Sequence, residues 1–547
     1  MARPTSRQVS IACSIDRSHA QPVYQQIADS IRAKISSGEW EEGSRLPATR
    51  TLAAALKVDR NTIVAAYRLL GQEGLVRSGV GAGSFVRRPP AASAARTSGM
   101  SPGGISASDA FLGGMPARAT LAPDGAQERG PRENPPFAWQ RLIRDPEALE
   151  SDPARWLSAR HLSVSPDAIR LAGVTPDSRQ FPLADFEKSV RVVFASADPG
   201  ILDYGPPEGD ERLRRWVLSR LEEAGTRGIE LDRVFIISGS QQGLDLLAKL
   251  LLAPGDTVAM EAPGYTGAFC SLSLAGARIA TAPMGPAGVD VDALEELIAR
   301  RPVKFLYTMP CFQNPTGISL GAAPRARLLD LARRRRLAIV EDHYDSDLYY
   351  DGTRPRPLLA DDPSGQIVHL GTFSKILFPG LRIGWLIVPR ELAAPLRQVR
   401  WATDLASATL TQRALEHFCR EGRLERHLRR IRKVNARRLA AMLAALREFM
   451  PAGVRWTEPA GGMTLWVEMP EAIDAVALLS QTAADGVLFS PGMAFFPHGG
   501  GRNGMRLTFT RENEARIREG IAHLARRIAE RLDAPSRAEG MGEGPLP

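Results

Sequence analysis

Apolar residues recur every four positions in "QPVYQQIADSIRAKISSGEW", at Val23, Ile27, Ile31 and Ile35, and Gly38 stands where a helix would stop. The pattern predicts an amphipathic helix. Leu52 and Leu56 mark a second, shorter one in "TRTLAAALKV", and Ile63, Tyr67 and Leu70 a third in "DRNTIVAAYRLLGQEG", with Asp59 as its N-cap. "LVRSGVGAGSFV" holds two short β-like runs about a glycine-rich turn, which suits a hairpin. No helix follows "GVGAGSF", so its glycines read as turn residues, not as a dinucleotide loop. Three helices and a hairpin make a winged helix-turn-helix. The packing face leaves Arg60, Asn61 and Thr62 at an exposed helix start, where arginine can pair with guanine edges and asparagine with adenine in the major groove of double-stranded DNA. Arg50, at the start of the second helix, can contact phosphate. A solvated charged face is the competing reading of the same side chains.

Beyond residue 160 the period changes. β-like runs ("VFIIS", "TVAME", "KFLYT", "LAIVED", "QIVHLG", "RIGWLIV") alternate with helical ones ("QQGLDLLAKLL", "VDALEELIARR", "RARLLDLARRRR"). That alternation predicts an α/β domain with a mostly parallel sheet covered by helices, and ligands at the carboxyl ends of its strands. Between the two patterned segments lies a stretch opening with "RRPPAASAARTSGMSPGG", rich in Ala, Ser, Gly and Pro and without periodicity. The expected organisation is a winged helix-turn-helix over 14–88, a flexible linker over 89–160, a large domain over 161–533 and a tail over 534–547.

Composition adds three constraints. No apolar run is long enough to span a bilayer, and "MARPTSRQVSIACSIDRS" lacks a signal-peptide core, so a cytoplasmic protein with no membrane partner is expected. Cys13, Cys270, Cys311 and Cys419 are far apart and form no C-x-x-C pair, so neither a disulfide framework nor a zinc site is indicated, and they read as reduced and mostly structural. A net charge of +9 favours an anionic partner. The basic runs "RRRR" at 333–336 and "RLERHLRRIRKVNARR" read as solvated helix faces.

The candidate chemistry collects at strand ends. "SGSQQG" puts Ser240 and the Gln241 amide at a helix start, where they can hold an anion. "NPTG" begins at Asn314. "VEDHYD" places Asp342 at a strand end with Tyr344 two residues on, and "GTFSK" places Thr372, Ser374 and Lys375 just beyond another, with Arg382 before the next. One ligand unifies an anion site, a carboxylate for an aromatic nitrogen and a lone amine for an aldehyde: pyridoxal 5'-phosphate. Lys375, made less basic by desolvation, would condense with the aldehyde, and Asp342 would keep the ring nitrogen protonated. Asn314 and Tyr344 would bond the ring hydroxyl, Tyr265 of "APGYTG" would stack on the ring, and Ser240, Gln241, Thr372, Ser374 and Arg382 would hold the phosphate. Taken singly, each residue reads as an ordinary loop or turn residue; it is their joint order that carries the reading.

Two resemblances extend it. "GSRLPATRTLAAALKVDRNTIVAAYRLLGQEGLV" with "GAGSFV" resembles the DNA-binding domain of GntR-type regulators, with Ala48 where serine is usual and the cap expected at Thr49. The stretch from "LAGVTPDSRQFP" to "MRLTFT" resembles fold-type I aminotransferases, which implies a smaller C-terminal α+β subdomain, Tyr204 reaching the phosphate of a neighbouring subunit, and Arg506 taking an amino acid's carboxylate. In this order the two resemble the MocR/GabR family. The resemblance implies a regulator more than an enzyme, a head-to-tail homodimer, and an amino-compound effector whose chemistry at the cofactor alters operator binding. Residual aminotransferase half-reaction, an active aminotransferase with an accessory DNA-binding domain, and a sensor of pyridoxal phosphate itself remain alternatives.

Overall fold

The computed structural model describes residues 23–37, 39–40, 44, 46–47, 49–56, 58, 62–63, 66–67, 70, 75–79, 83–86, 167–362 and 364–533. The side chains of Ser36, Thr49, Arg50 and of residues 77–79 and 83–84 fall outside that description. The chain divides into two compact units, residues 1–132 and 133–547.

In the first unit, helices run over Val23–Ser36 and Thr49–Leu56, and Val76–Gly79 pairs antiparallel with Gly83–Val86. Thr49, where the cap was expected, is instead the first helical residue. Ile27, Ile31, Ile35, Leu52, Ile63, Tyr67, Leu70, Val76 and Val86 form one buried cluster, so the four-residue apolar period and the hairpin close on a shared core. The buried Tyr67 hydroxyl donates to the Pro47 carbonyl at 2.9 Å.

The second unit is built on eight strands: β1 (Val234–Ile237), β2 (Thr257–Ala262), β3 (Arg278–Gly285), β4 (Gly288–Val289), β5 (Phe305–Thr308), β6 (Ala338–His343), β7 (Ile367–Thr372) and β8 (Gly384–Ile387). Their order across the sheet is β1-β8-β7-β6-β5-β2-β3-β4. Pairing is parallel from β7 to β3, while β8 runs antiparallel to both neighbours and β4 to β3. β1, β5 and β7 are buried along their whole length, as expected of strands covered on both faces. Alternate side chains enter different cores: Val234, Ile236, Ile339 and Ile367 join one cluster, Phe235, Ile237, Val340 and Val368 another. This two-residue alternation later separates Asp342 from Glu341 and His343. The helix Ser240–Leu251 lies close against the sheet because Gly243 has no Cβ, which would stand 2.6 Å from Leu370 Cδ1.

The smaller C-terminal part has its own core and a four-stranded sheet, β9 (Arg455–Trp456), β10 (Thr464–Glu468), β11 (Ser490–Pro491) and β12 (Gly504–Thr508), in the order β9-β10-β12-β11. The helices Arg423–Phe449 and Glu514–Asp533 pack with it. One reading of the basic runs needs correction. Arg333, Arg334 and Arg335 do form exposed ion pairs with Asp330 and Glu295. In "RLERHLRRIRKVNARR", however, His427, Asn435 and Arg438 are buried, because that face of the helix covers the segment 173–181. Arg438 reaches Asp177 at 2.7 Å with both side chains 5% exposed, and Arg179 bonds the other carboxylate oxygen at 2.8 Å.

Removing one partner of such a pair strands a buried charge. Asp177→Ala is therefore expected to lower the unfolding free energy of the second unit by about 3 kcal/mol. Urea denaturation checks it; a loss below about 1 kcal/mol would mean the pair is solvated and weak.

Candidate functional site

Lys375 sits in the turn after β7, and its Nζ donates to the Val174 carbonyl at 2.6 Å. Burial lowers its pKa from 10.5 to about 8; the Arg506 and Arg382 charges push the same way, and Asp345 and Asp342 partly offset them. Asp342, near the end of β6, is 1% exposed. Its Oδ2 accepts from the Tyr307 hydroxyl at 2.8 Å, while Oδ1 has no donor among the described residues. Burial raises this acid to about 7, against the lowering effects of Tyr307, His343 and Lys375.

A second group lies at the start of the helix Ser240–Leu251. Gly239, at φ 88°, precedes it, and a Cβ there would stand 2.7 Å from Arg382 Nη2. Glycine thus admits the guanidinium beside the positive end of a three-turn helix. Arg382 donates to the Ser238 carbonyl at 3.0 Å and lies 3.5 Å from Ser374 Oγ, which in turn receives the Thr372 hydroxyl at 3.1 Å. Ser240 and Gln241 occupy the first two helical positions. The Gln241 side-chain amide is turned aside, donating to Ser271 Oγ at 2.8 Å and to the Gly267 carbonyl at 3.2 Å. Its contribution to an anion is the backbone N–H alone. The Tyr265 hydroxyl donates to Gln241 Oε1 at 3.1 Å, which fixes that ring beside the helix start.

A third group comes from the other side. Arg506 on β12 is buried, with Nη1 donating to Asn314 Oδ1 at 3.0 Å, Nη2 donating to Ser490 Oγ at 2.9 Å, and the guanidinium carbon 4.9 Å from the Phe495 ring centre. Its Nε has no partner among the described residues, and burial lowers its pKa to about 10. The Tyr344 hydroxyl donates to the Phe312 carbonyl at 3.1 Å. The electrostatic influence of Arg506 on Lys375, of Asp342 on Tyr265 and of Arg382 on both Tyr265 and Lys375 shows that the three groups share one site. Tyr204 stands apart on this chain, 82% exposed. In the first unit Thr62 is helical and half-buried, whereas Asp59, Arg60, Asn61 and the Arg50 side chain lie outside the described residues.

Three features were not anticipated from the sequence. Tyr307 pairs with Val340 in the parallel register, so its side chain shares the face of Asp342 two residues on; a tyrosine at the end of an otherwise apolar strand was the available signal. On the opposite face Glu341 lies 3.0 Å from His343 Nε2 and 2.9 Å from His369 Nδ1. These three have a metal-binding composition and lie within 4.8 Å of one another. Yet the Glu341 oxygens also accept the Leu358 and Leu359 N–H groups at 2.6 and 3.0 Å, so no lone pair is left for an ion. Burial alone would push Glu341 up, but His343 and His369 hold it well below the usual carboxylate range, and His343 is raised, against its own burial, by Cys311 and then Glu341. This is a buried charge pair beneath Asp342. The third feature is Asp345, buried with both oxygens unpartnered.

The donor set fits pyridoxal phosphate. An unpartnered buried carboxylate oxygen on Asp342 calls for a cationic N–H, the glycine-backed cup of Arg382, Thr372, Ser374 and the helix start suits a phosphate, and Lys375 is an enclosed amine. Comparison with known proteins agrees. The family profile "Aminotransferase class I and II" matches residues 174–524, and "Bacterial regulatory proteins, gntR family" matches residues 23–86. The probable rhizopine catabolism regulatory protein MocR of Rhizobium meliloti is 31% identical over 93% of this chain and 94% of its own length. Aromatic-amino-acid aminotransferase 1 of Thermococcus litoralis is 38% identical over 67% of this chain and 89% of its own. The crystal structure of Pyrococcus horikoshii kynurenine aminotransferase in complex with PMP superposes with a TM-score of 0.67 at 35% identity, covering 73% of this chain and 98% of that one.

An amine must be unprotonated to attack an aldehyde. With its pKa lowered to about 8, Lys375 carries its proton below that pH and loses it above. Capture of added pyridoxal phosphate, followed by visible absorbance, should accelerate through about pH 8 and disappear in Lys375→Ala. Acceleration only near 10.5, or a band that survives the substitution, contradicts the assignment of the amine.

Proposed function

The chain belongs to the aminotransferase class I and II family and, with its gntR-family domain in front, to the MocR-type regulators, and from that premise we propose that an amino carboxylate, bound at the pyridoxal-phosphate site, changes its affinity for operator DNA. The chain is a DNA-binding regulator that depends on pyridoxal phosphate. The proposal adds the residues, the ligand class and the division of the chain: DNA recognition by 14–88, a linker over 89–160, and the cofactor domain over 161–533.

Bound pyridoxal phosphate supplies an aldehyde and an electron-withdrawing ring. Lys375 offers the amine. Asp342, oriented by Tyr307, holds a proton on the ring nitrogen through Oδ1. Asn314 and Tyr344 would bond the ring hydroxyl, Tyr265 would stack on the ring, and Ser240, Gln241, Thr372, Ser374 and Arg382 would hold the phosphate. Tyr204, exposed on its own chain, adds to the phosphate site of a second copy in a head-to-tail homodimer. Arg50, Arg60, Asn61 and Thr62 contact the operator.

The observation that carries the effector class is Arg506. A fixed guanidinium with its Nε unpartnered, lodged beside the amine, matches a planar carboxylate on a molecule that also bears an amine. A second reading, a working aminotransferase with an accessory DNA-binding domain, is favoured by the retention of Lys375, Asp342 and Arg506 together and by the 38% identity to an aminotransferase.

Operator binding measured with and without cofactor, across a panel of amino acids and amines, tests both. Arg506→Lys should weaken the response to amino carboxylates at least about tenfold, because a point charge replaces a fork. An unchanged response would assign the signal to an amine without an acid group or to pyridoxal phosphate itself, and sustained keto-acid-dependent turnover would favour the enzyme. On the DNA side, Arg60→Ala should cost about 1–3 kcal/mol and relax specificity, whereas Arg50→Ala should weaken all sequences alike and flatten the salt dependence. Unaltered operator affinity in both variants contradicts the assignment of that helix start.

A further inference from the structure

Arg400, on the helix Arg390–Asp404, is 0% exposed, and its guanidinium has no part in the site described so far. Nη1 donates to Gln242 Oε1, and Nη2 donates to Ser407 Oγ at 2.6 Å. Asp404 Oδ1 lies 3.0 Å from Nε but out of line for a hydrogen bond, and that acid's side chain is 34% exposed. The cation is therefore buried more deeply than its counterion. Burial makes Arg400 less basic, and Asp404 only partly offsets the effect. A buried charge so thinly compensated is costly to keep.

Its partners converge on one residue of the phosphate cup's rim. Gln242, in the first turn of the helix Ser240–Leu251, accepts the Ser238 N–H on Oε1 at 2.6 Å beside the Arg400 donor, while its Nε2 donates to Asp404 Oδ2 at 2.5 Å. Two donors meeting on that oxygen leave the amide a single orientation. Ser238 Oγ lies 3.3 Å from Ser407 Oγ, the other acceptor of Arg400. The remaining polar group of Ser238, its carbonyl, receives Arg382 Nη2 at 3.0 Å. Arg400 thus bonds both side chains that engage Ser238, and Ser238 bonds the guanidinium assigned to phosphate. Arg382 has φ 51°, a left-handed conformation that a residue with a side chain keeps only where its surroundings hold it.

We propose that Arg400 is the positioning residue of the phosphate cup: through Gln242 and Ser407 it fixes Ser238, and through Ser238 it sets the Arg382 guanidinium and the turn into the helix Ser240–Leu251 for the phosphate of pyridoxal phosphate. It touches neither the ligand nor Lys375. The inference rests on the pyridoxal-phosphate reading of the site. Because Lys375 is held separately, by its bond to the Val174 carbonyl, recognition of the phosphate and capture of the aldehyde are separable.

Titration of the full chain with pyridoxal phosphate and with pyridoxal, which has the same ring and aldehyde but no phosphate, tests this by visible absorbance. Circular dichroism and the urea midpoint report the fold of each variant. Arg400→Gln should lose about tenfold or more of the preference for pyridoxal phosphate over pyridoxal, the worth of one charge-assisted hydrogen bond, with pyridoxal binding and its pH midpoint in place. Gln242→Ala, at a half-buried helical position, breaks the same link while leaving Arg400 in place, and should shift the preference in the same direction. It decides the matter should Arg400→Gln fail to fold. Equal weakening toward both ligands marks a merely structural role and overturns the proposal, as does an unchanged preference in the folded variants. A wild type with no preference for pyridoxal phosphate refutes the phosphate cup itself and takes the role of Arg400 with it.

Discussion

Desolvation of several charges in one volume is the constraint around which the second unit is organised. Lys375 and Arg506 share the site with Asp342 and Asp345, and their burial leaves little solvent to screen them, while Arg382 stands at its exposed edge. Arginine scarcely gives up its proton, so even at about 10 the Arg506 guanidinium stays charged at neutral pH. The cheaper adjustment is made by the lysine and the acids. Lys375 falls to about 8 and Asp342 rises to about 7, which places both near the point where one proton changes the charge of the site. A ligand carrying an aldehyde, a cationic nitrogen and a dianionic phosphate answers each unmet demand at once.

The sheet keeps those demands from cancelling one another prematurely. Because side chains alternate along β6, Asp342 faces one core with Tyr307, while Glu341 and His343 face the other with His369. Glu341 is satisfied four times over, by two imidazoles and two backbone N–H groups, and so forms a rigid buried pair. The nearby His343 charge lowers Asp342 without bonding it, leaving Asp342 Oδ1 open. A one-residue slip in β6 would exchange the two faces and destroy both arrangements.

Much of this was legible in the sequence because the strand ends follow from local pattern. The runs around "KFLYT", "LAIVED" and "QIVHLG" place Asp342 at a strand end and Asn314, Tyr344 and Lys375 beyond strands whatever the tertiary detail, and helix periodicity placed Ser240 at a helix start. What was not legible depends on contacts between distant segments. Tyr307 meets Asp342 through strand register, Arg438 meets Asp177 across 261 positions, and Gly462 reaches Asp345 from the smaller C-terminal part. Composition also misled: "RLERHLRRIRKVNARR" is basic enough to look solvated, but helical spacing turns His427, Asn435 and Arg438 inward together, and a partner such as Asp177 removes the objection to burying arginine.

The hydrogen bond from Lys375 to the Val174 carbonyl links this chemistry to the backbone. Val174 belongs to the segment 173–181, which is tied elsewhere by the Thr508 hydroxyl on the Gly173 carbonyl and by Asp177 between Arg438 and Arg179. Those ties do not involve the site's ligand. The Lys375 tie would, because the amine that holds Val174 is the same group a bound aldehyde would engage. A ligand that engaged this amine would release one anchor of the segment and leave the others intact, and only a ligand that interacts differently with two arrangements can shift a conformational balance. Arg506 on β12 would act in the same sense, because a carboxylate placed there would compete with Asn314 and Ser490 for its donors. An amino carboxylate bound as proposed would thus exchange existing contacts for new ones at both ends, one in the large sheet's turn and the other in the smaller C-terminal sheet.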